Sequence, residues 1–300
     1  MFYHNSILIN EVIKRLEIKD NGIYIDATLG LGGHSEAILK KNKTIKIIAF
    51  DQDEKALEFA KKRLKKFTNI TFINKNFNKI EETLKELKIE KVDGILFDLG
   101  TSYYQLTTED RGFSYHGENI LLDMRMNQKQ EKDAIKILNE YDLNSLTKIF
   151  KEYGDEKRAS YLAKIIIEAR EKEKILTNTT LNEIIKKAKG YDKRKHPSKN
   201  IFQALRIETN DEISNLKSAL NQSLDVLKKG GIIIVISFHS LEDRTIKKIF
   251  GEAKKIQEIT PFEIKSKFKT SKSIRPTKEE IEKNKQARSA KLRSIKKYYE

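Results

Sequence analysis

Residues 22–35 read GIYIDATLGLGGHS. A short apolar run, Ile23-Tyr24-Ile25, ends in Asp26. Gly30, Gly32 and Gly33 follow, and His34-Ser35 open a stretch with helical character. Strand, glycine turn and helix in direct succession make a nucleotide-binding turn. The glycines let the backbone approach a ligand, and the first N–H groups of the helix are free to meet it. The next predicted strand, IKIIAFD, ends in Asp51, 21 residues beyond Gly30. At that spacing an acidic side chain reaches a ribose.

Outward from this turn, strand and helix patterns alternate. SILINEVIKRL, HSEAILKKN, DEKALEFAKKRLKKF and IEETLKELK have helical spacing; ITFIN and VDGILFDLG read as strands. Such alternation predicts a parallel sheet with helices on both faces. From about Leu106 to about Ile207 only amphipathic helical patterns follow. Strand character returns at LKKGGIIIVISFHS (227–240), where Gly230-Gly231 is expected to turn before an all-apolar central strand. KLRSIKKYY (291–299) is a candidate last strand, and 265–290 is expected to be basic and loop-rich. The predicted organisation is a discontinuous α/β domain, 1–105 with 206–300, interrupted by a helical domain, 106–205.

Composition narrows the class. Lys and Arg number 60 against 44 Asp and Glu, a formal net charge of +16. This excess points to a polyanionic partner such as nucleic acid. With no cysteine, disulfides and thiolate metal sites are excluded, and the five histidines have no zinc-ligand spacing, so no metal is expected. No apolar run is long enough for a membrane span, and the N-terminal residues lack a signal-peptide pattern. A cytoplasmic enzyme is expected.

Two ribose-bearing cofactors suit the turn: a nicotinamide dinucleotide and S-adenosylmethionine. The dinucleotide fingerprint needs a third glycine, which Gly30-x-Gly32-Gly33 lacks. Asp26 would repel a pyrophosphate but suits the ammonium of an amino acid. Both features favour the methyl donor. Phe77, after the third strand, is placed for an adenine face or for core packing. Asp98 ends the fourth strand, at the edge where open α/β sheets bind ligands. There it suits an amine's N–H groups, and accepting them would sharpen a nitrogen whose lone pair is delocalised into a ring.

The motifs then line up with a known family. HNSILINEV (4–12), the opening turn, IIAFDQD (47–53), DGILFDLGTS (93–102), EDRGFSY (109–115) and LDMRM (122–126) occur in order. HPSKNIFQALRIETNDE (196–212), ISFHSLEDR (236–244) and RSAKLR (288–293) complete the series. The sequence resembles, nearly end to end, the ribosomal RNA small subunit methyltransferase H family, bacterial enzymes that methylate N4 of a cytidine in the decoding region of 16S rRNA. The resemblance implies a class I, Rossmann-like methyltransferase with a mostly parallel seven-stranded sheet and an inserted helical substrate-recognition domain. It implies S-adenosylmethionine held by Gly32, Gly33, His34, Asp51, Phe77, Asp98 and Gln105. The implied partner is 16S rRNA or the small ribosomal subunit, with no membrane and with room for a homodimer. Asp98 is the expected catalytic group.

Two departures stand out. After DLG the family's proline-containing loop is replaced by Thr101-Ser102-Tyr103-Tyr104-Gln105-Leu106, and Lys285 stands where the family has a proline in its tail. The tyrosines are candidates for base stacking, with Phe113. Substrate contacts are expected from Tyr104, Lys195, His196, Arg206 and His239, with Lys193, Arg194 and Lys199 adding to the basic cluster. Ser240-x-x-Asp243 reads as a helix N-cap. The readings set against this are a dinucleotide-dependent oxidoreductase and a non-catalytic RNA-binding assembly factor.

Overall fold

The computed structural model describes residues 6–102, 105, 111–189, 196–259 and 264–299. The chain divides into two compact units, 1–100 with 213–300, and 101–212. The inserted unit thus ends beyond the expected residue 205. One helix runs unbroken from Lys199 to Thr209, and Asn210 is tied to that unit by hydrogen bonds with the Met124 carbonyl and the Met126 N–H, both at 2.8 Å.

The first unit opens α1 (Ile9–Leu16), β1 (Ile23–Asp26), α2 (Gly33–Lys41), β2 (Lys46–Phe50), α3 (Glu54–Leu64), β3 (Ile70–Ile73), α4 (Ile80–Glu86) and β4 (Val92–Asp98). The inserted unit holds α5 (Ala134–Glu140), α6 (Leu143–Glu152), α7 (Ala159–Arg170), α8 (Asn178–Lys189) and α9 (Lys199–Thr209). The remainder is α10 (Glu212–Val226), β5 (Leu227–Ser237), α11 (Ser240–Ala253), β6 (Gln257–Ile259), β7 (Ile264–Ser266), β8 (Phe268–Thr270), α12 (Lys278–Lys283) and β9 (Lys291–Lys297).

Seven strands form one sheet in the order β3-β2-β1-β4-β5-β9-β8. The first five are mutually parallel; β9 runs antiparallel to β5 and to β8. Alternation along each strand divides the side chains between two cores. Ile25, Ile48, Ile95, Phe97 and Val235 pack with Leu84 of α4, Leu220 of α10 and Ile249 of α11. Tyr24, Ile47, Ala49, Leu96 and Ile234 pack with Leu16 of α1, Leu39 of α2 and Leu57 of α3. Both faces are covered, which is why the central strands are nearly all apolar. Strand order reverses between β1 and β4, and at such a switch point the loops at the carboxyl ends diverge and leave a crevice.

The inserted unit has its own core, with Ile137, Phe150, Leu162, Ile185 and Leu205 all fully buried. Its helices start where the local chemistry directs. Asp133 caps α5 through the Lys136 N–H at 2.7 Å, and Asp142 caps α6 through the Ser145 N–H at 2.6 Å. In LDMRM, Leu122 and Met124 are core residues, while Asp123 and Arg125 pair at 2.7 Å.

Three local expectations are corrected. Gly230-Gly231 do not precede β5; they lie within it. Val92 pairs with Leu227 but Gly94 pairs with Ile232, so β5 carries extra residues that bulge out with Gly230 at φ 74°. The 265–290 segment contains β8 and α12 and is less loop-rich than expected. These elements are too short for a periodic signal and are held by pairing with β9 and by the Thr277 cap. The cap of α11 is His239, one residue earlier than Ser240: its Nδ1 accepts the Glu242 N–H at 3.4 Å, and Glu242 Oε2 accepts the His239 N–H at 3.2 Å.

Candidate active site

The carboxyl ends of β1, β2 and β4 bring Asp26, Asp51 and Asp98 to one edge of the sheet. Each has a different environment. Asp26 is 2% exposed. Its Oδ2 accepts the Ser35 hydroxyl at 2.6 Å and its Oδ1 the Thr28 N–H at 3.3 Å. Burial raises its pKa, with the Ser35 hydrogen bond opposing. Asp26 therefore ties the end of β1 to the first turn of α2. Each of its oxygens accepts one hydrogen bond within the fold.

Asp51 closes the glycine turn. Its Oδ2 accepts the Gly30 N–H at 2.7 Å and its Oδ1 the Asp53 N–H at 2.8 Å. Burial nevertheless pushes its pKa to about 7, past the lowering effect of the two N–H donors. A carboxylate has about four acceptor sites, so Asp51 retains capacity for hydroxyl donors.

Asp98 is held from behind, its N–H donating to Thr28 Oγ1 at 2.6 Å. A quarter of its side chain is exposed, but Oδ1 is sealed from solvent and has no hydrogen-bond partner among the described residues. Burial, reinforced by the Glu242 charge, raises its pKa to about 7. The other oxygen, Oδ2, lies 3.5 Å from His34 Nδ1. His34 is 5% exposed, and its Nε2 stands 2.9 Å from the Ile7 carbonyl. A carbonyl only accepts, so Nε2 carries the proton and Nδ1 turns a lone pair to Asp98. Burial lowers the His34 pKa and keeps the ring neutral. Any ligand contact from His34 is thus through its backbone N–H.

That N–H belongs to the start of α2. Gly32 occupies the N-cap position with no side-chain cap, and the first N–H groups of a helix have no intrahelical partner. Gly32 has φ 78°, and a Cβ there would meet Leu64 Cδ1 at 2.9 Å. Gly30 has φ 52° and open space where a Cβ would point. Phe77 follows β3, half-buried, with its ring edge-on to Phe97 at 5.7 Å. An unpaired carboxyl oxygen, uncapped helix N–H groups, open space at Gly30 and an acid at the end of β2 form a donor and acceptor set that fits S-adenosylmethionine.

His239 serves as the helix cap described above, with Nε2 3.1 Å from Glu242 Oε1. Gln105 belongs to the inserted unit and is 5% exposed. It accepts the Ser102 N–H at 3.0 Å while its own N–H donates to Ser102 Oγ at 3.2 Å. In the same unit the guanidinium fork of Arg206 is filled by Glu212, at 2.8 and 2.9 Å, where a free phosphate-binding fork was expected. His196 is exposed and stacks on Tyr115 at 4.5 Å, and His116 tilts against the same ring at 4.4 Å. Phe113, a stacking candidate, is only 6% exposed and belongs to the core. Tyr103, Tyr104, Lys193, Arg194 and Lys195 lie outside the described residues.

Sequence reasoning missed Thr28 and Ser35, and it read Glu242 as a substrate contact where the structure has it charging Asp98. Ser35 and Thr28 stand within the opening turn. Glu242 was legible as the acidic end of a capping box, but a histidine in the cap position hid the frame.

The MraW methylase family profile matches residues 1–298. A Clostridium botulinum (strain Loch Maree / Type A3) protein named ribosomal RNA small subunit methyltransferase H is 44% identical over 307 residues, covering 99% of both chains. A protein of the same name from Caldicellulosiruptor saccharolyticus is 44% identical over 304 residues, covering 98% of both. Among solved structures, an rRNA methylase from Streptococcus thermophilus is 13% identical, covers 97% of this chain and 94% of its own, and has a TM-score of 0.46. With a family match that runs the length of the sequence, the chain belongs to the MraW methylase family.

Proposed function

We propose that this protein methylates N4 of a cytidine in 16S rRNA, using S-adenosylmethionine, in the cytoplasm. The observation that carries the chemistry is Asp98, a partly exposed carboxyl at the end of β4, where the strand order reverses. The full-length family relationship carries the substrate class. When bound, the cofactor supplies an electrophilic methyl on a sulfonium.

The chain's residues do the rest. Asp51 accepts ribose hydroxyls from a position fixed by Gly30 and Asp53. The N–H groups that open α2 receive the carboxylate of the methionine portion. Phe77 offers an apolar face for the adenine, braced from behind by Phe97.

Asp98 accepts an N–H of the exocyclic amine, drawing its lone pair out of ring conjugation. As the N–C bond forms, the C–S bond breaks and its electron pair stays on sulfur. The surplus N4 proton leaves through Asp98, whose pKa of about 7 suits a group that takes and releases a proton near neutrality. The target base must leave its stack to reach this edge, and the inserted unit is the element assigned to hold the surrounding RNA.

Nucleoside mass spectrometry of rRNA from cells lacking the gene tests the proposal. N4-methylated cytidine should be lost and should return with the wild-type gene but not with Asp98→Ala. An unchanged N4-methylcytidine level in the deletion strain would refute it.

A further inference from the structure

The sheet edge formed by β8 lies in a strongly basic part of the chain. Residues 264–299 contain thirteen Lys or Arg against three Glu. One of the three, Glu280, is committed inside the fold, its Oε1 accepting the Leu8 N–H at 2.6 Å. β8 and β9 pair so that Lys269 stands directly opposite Lys296, an arrangement that destabilises a sheet. Both ammonium groups lie over the ring of Tyr298, at 4.8 and 5.7 Å, and that ring is 38% exposed. The Tyr298 N–H donates to the Lys267 carbonyl at 2.8 Å, which fixes the tail against β8. Lys296 is paired with Glu17, whereas exposed Lys269 has no ion pair among the described residues.

Lysine on an edge strand is one way to stop a sheet from pairing with another. It accounts for a charge on β8 but not for an exposed aromatic ring set between two ammonium groups. We propose that this edge is a second RNA contact, in which Lys269 and Lys296 meet phosphates and Tyr298 stacks a base of a single-stranded segment.

The proposal rests on RNA being the substrate, and it adds where and how the RNA is held. Lys296 pairs with Ile232 of β5, while Asp98 pairs with Ile236 of the same strand. Tyr298 lies two residues beyond Lys296. At ~3.3 Å per residue, the ring is therefore about 20 Å from the level of Asp98 along the strands. A contact so far from the reacting nucleotide suits a large folded RNA whose neighbouring strand reaches the edge. A short oligonucleotide carrying only the target could not bridge the two.

The test compares full-length wild type, Lys269→Glu and Tyr298→Ala in filter binding to protein-free 16S rRNA across a salt series. Glutamate blocks edge pairing as well as lysine does but repels phosphate. Lys269→Glu is expected to weaken binding several-fold and to reduce the slope of log K against log salt by about 1. Tyr298→Ala is expected to weaken binding with the slope unchanged. Affinity for S-adenosylhomocysteine should be unaltered in both, reporting an intact crevice. If both variants bind the RNA like wild type, with the same slope, the edge lysine serves only to block pairing and the proposal is overturned. It is also overturned if Lys269→Glu abolishes binding to phosphatidylglycerol vesicles while RNA binding is unchanged. A protein that grips 16S rRNA through this edge but leaves cytidine N4 unmethylated would defeat the proposed reaction and leave this contact standing.

Discussion

Lowering the pH from 8 to 6 should weaken binding of S-adenosylmethionine much more than binding of S-adenosylhomocysteine. The two ligands differ by a methyl group and a positive charge on sulfur. Asp98 has a pKa of about 7 because burial disfavours its charged form. At one pH unit above that value roughly nine-tenths of it is ionised, and at one unit below roughly one-tenth. A sulfonium near Asp98 favours the carboxylate, so the ratio of the two affinities should fall about tenfold across the range, or ~1.4 kcal/mol. The ligands share an amino acid and a ribose, so titration of the amino group and of Asp51 cancels in the ratio. Calorimetry of both ligands at pH 6, 7 and 8, at one ionic strength, measures it. Asp98→Asn should flatten the ratio. Stability gives an independent reading of the same group. The folded-state pKa lies above the ordinary 3.8, so the native protein holds a proton that the unfolded chain has already released. Stability is therefore lost as pH rises from about 4 through 7, and Asp98→Asn should raise Tm at pH 8 with little effect at pH 4. A wild-type affinity ratio constant within about twofold from pH 6 to 8 would refute the reasoning.

Glu36 pairs with Lys40 within α2 and with Arg63 of α3, each at 2.8 Å, which brings its pKa down to about 2, and lies 3.5 Å from Lys66. Glu36→Gln should cost ~1–2 kcal/mol at pH 7 after allowance for solvent screening. In denaturant titrations the cost should shrink as pH falls from 4.5 and vanish below 2; a deficit that persists at the lowest pH would argue against the charge network. Gly32→Ala places a Cβ at φ 78° and 2.9 Å from Leu64 Cδ1. It should destabilise the fold by ~1–2 kcal/mol from backbone strain alone and weaken S-adenosylhomocysteine binding more than tenfold. Retained affinity in that variant would show that the turn does not approach the ligand.

The doubly wound core was readable because both of its signals are local. Runs such as IKIIAFD and VDGILFDLG are apolar because helices cover both faces of the sheet, and their terminal aspartates mark the edge where a ligand binds. The glycine turn was readable because Gly32, at φ 78° and packed against Leu64, has no room for a side chain, and Gly30 shares its positive φ. Less of the surrounding chemistry could be read. Arg206 is indistinguishable in sequence from a phosphate-binding arginine until Glu212 is found in its fork. The bulge at Gly230 and the edge strand β8 depend on β4 and β9, which lie far away along the chain.

What the sequence by itself determined was the alternation of elements, the identity of the ligand-facing strand ends and the family they belong to. Hydrophobic period, glycine and terminal acid are each properties of a few adjacent residues. Tertiary structure alone decided which acid is left waiting for a ligand. Asp26, Asp51 and Asp98 look equivalent as carboxylates at strand ends. Ser35 and Thr28 take up the first, two backbone N–H groups anchor the second, and only the third keeps an oxygen buried without a partner among the described residues. Hydrogen-bond satisfaction and burial arise from segments that meet only after folding. That meeting gives three similar residues three different parts to play.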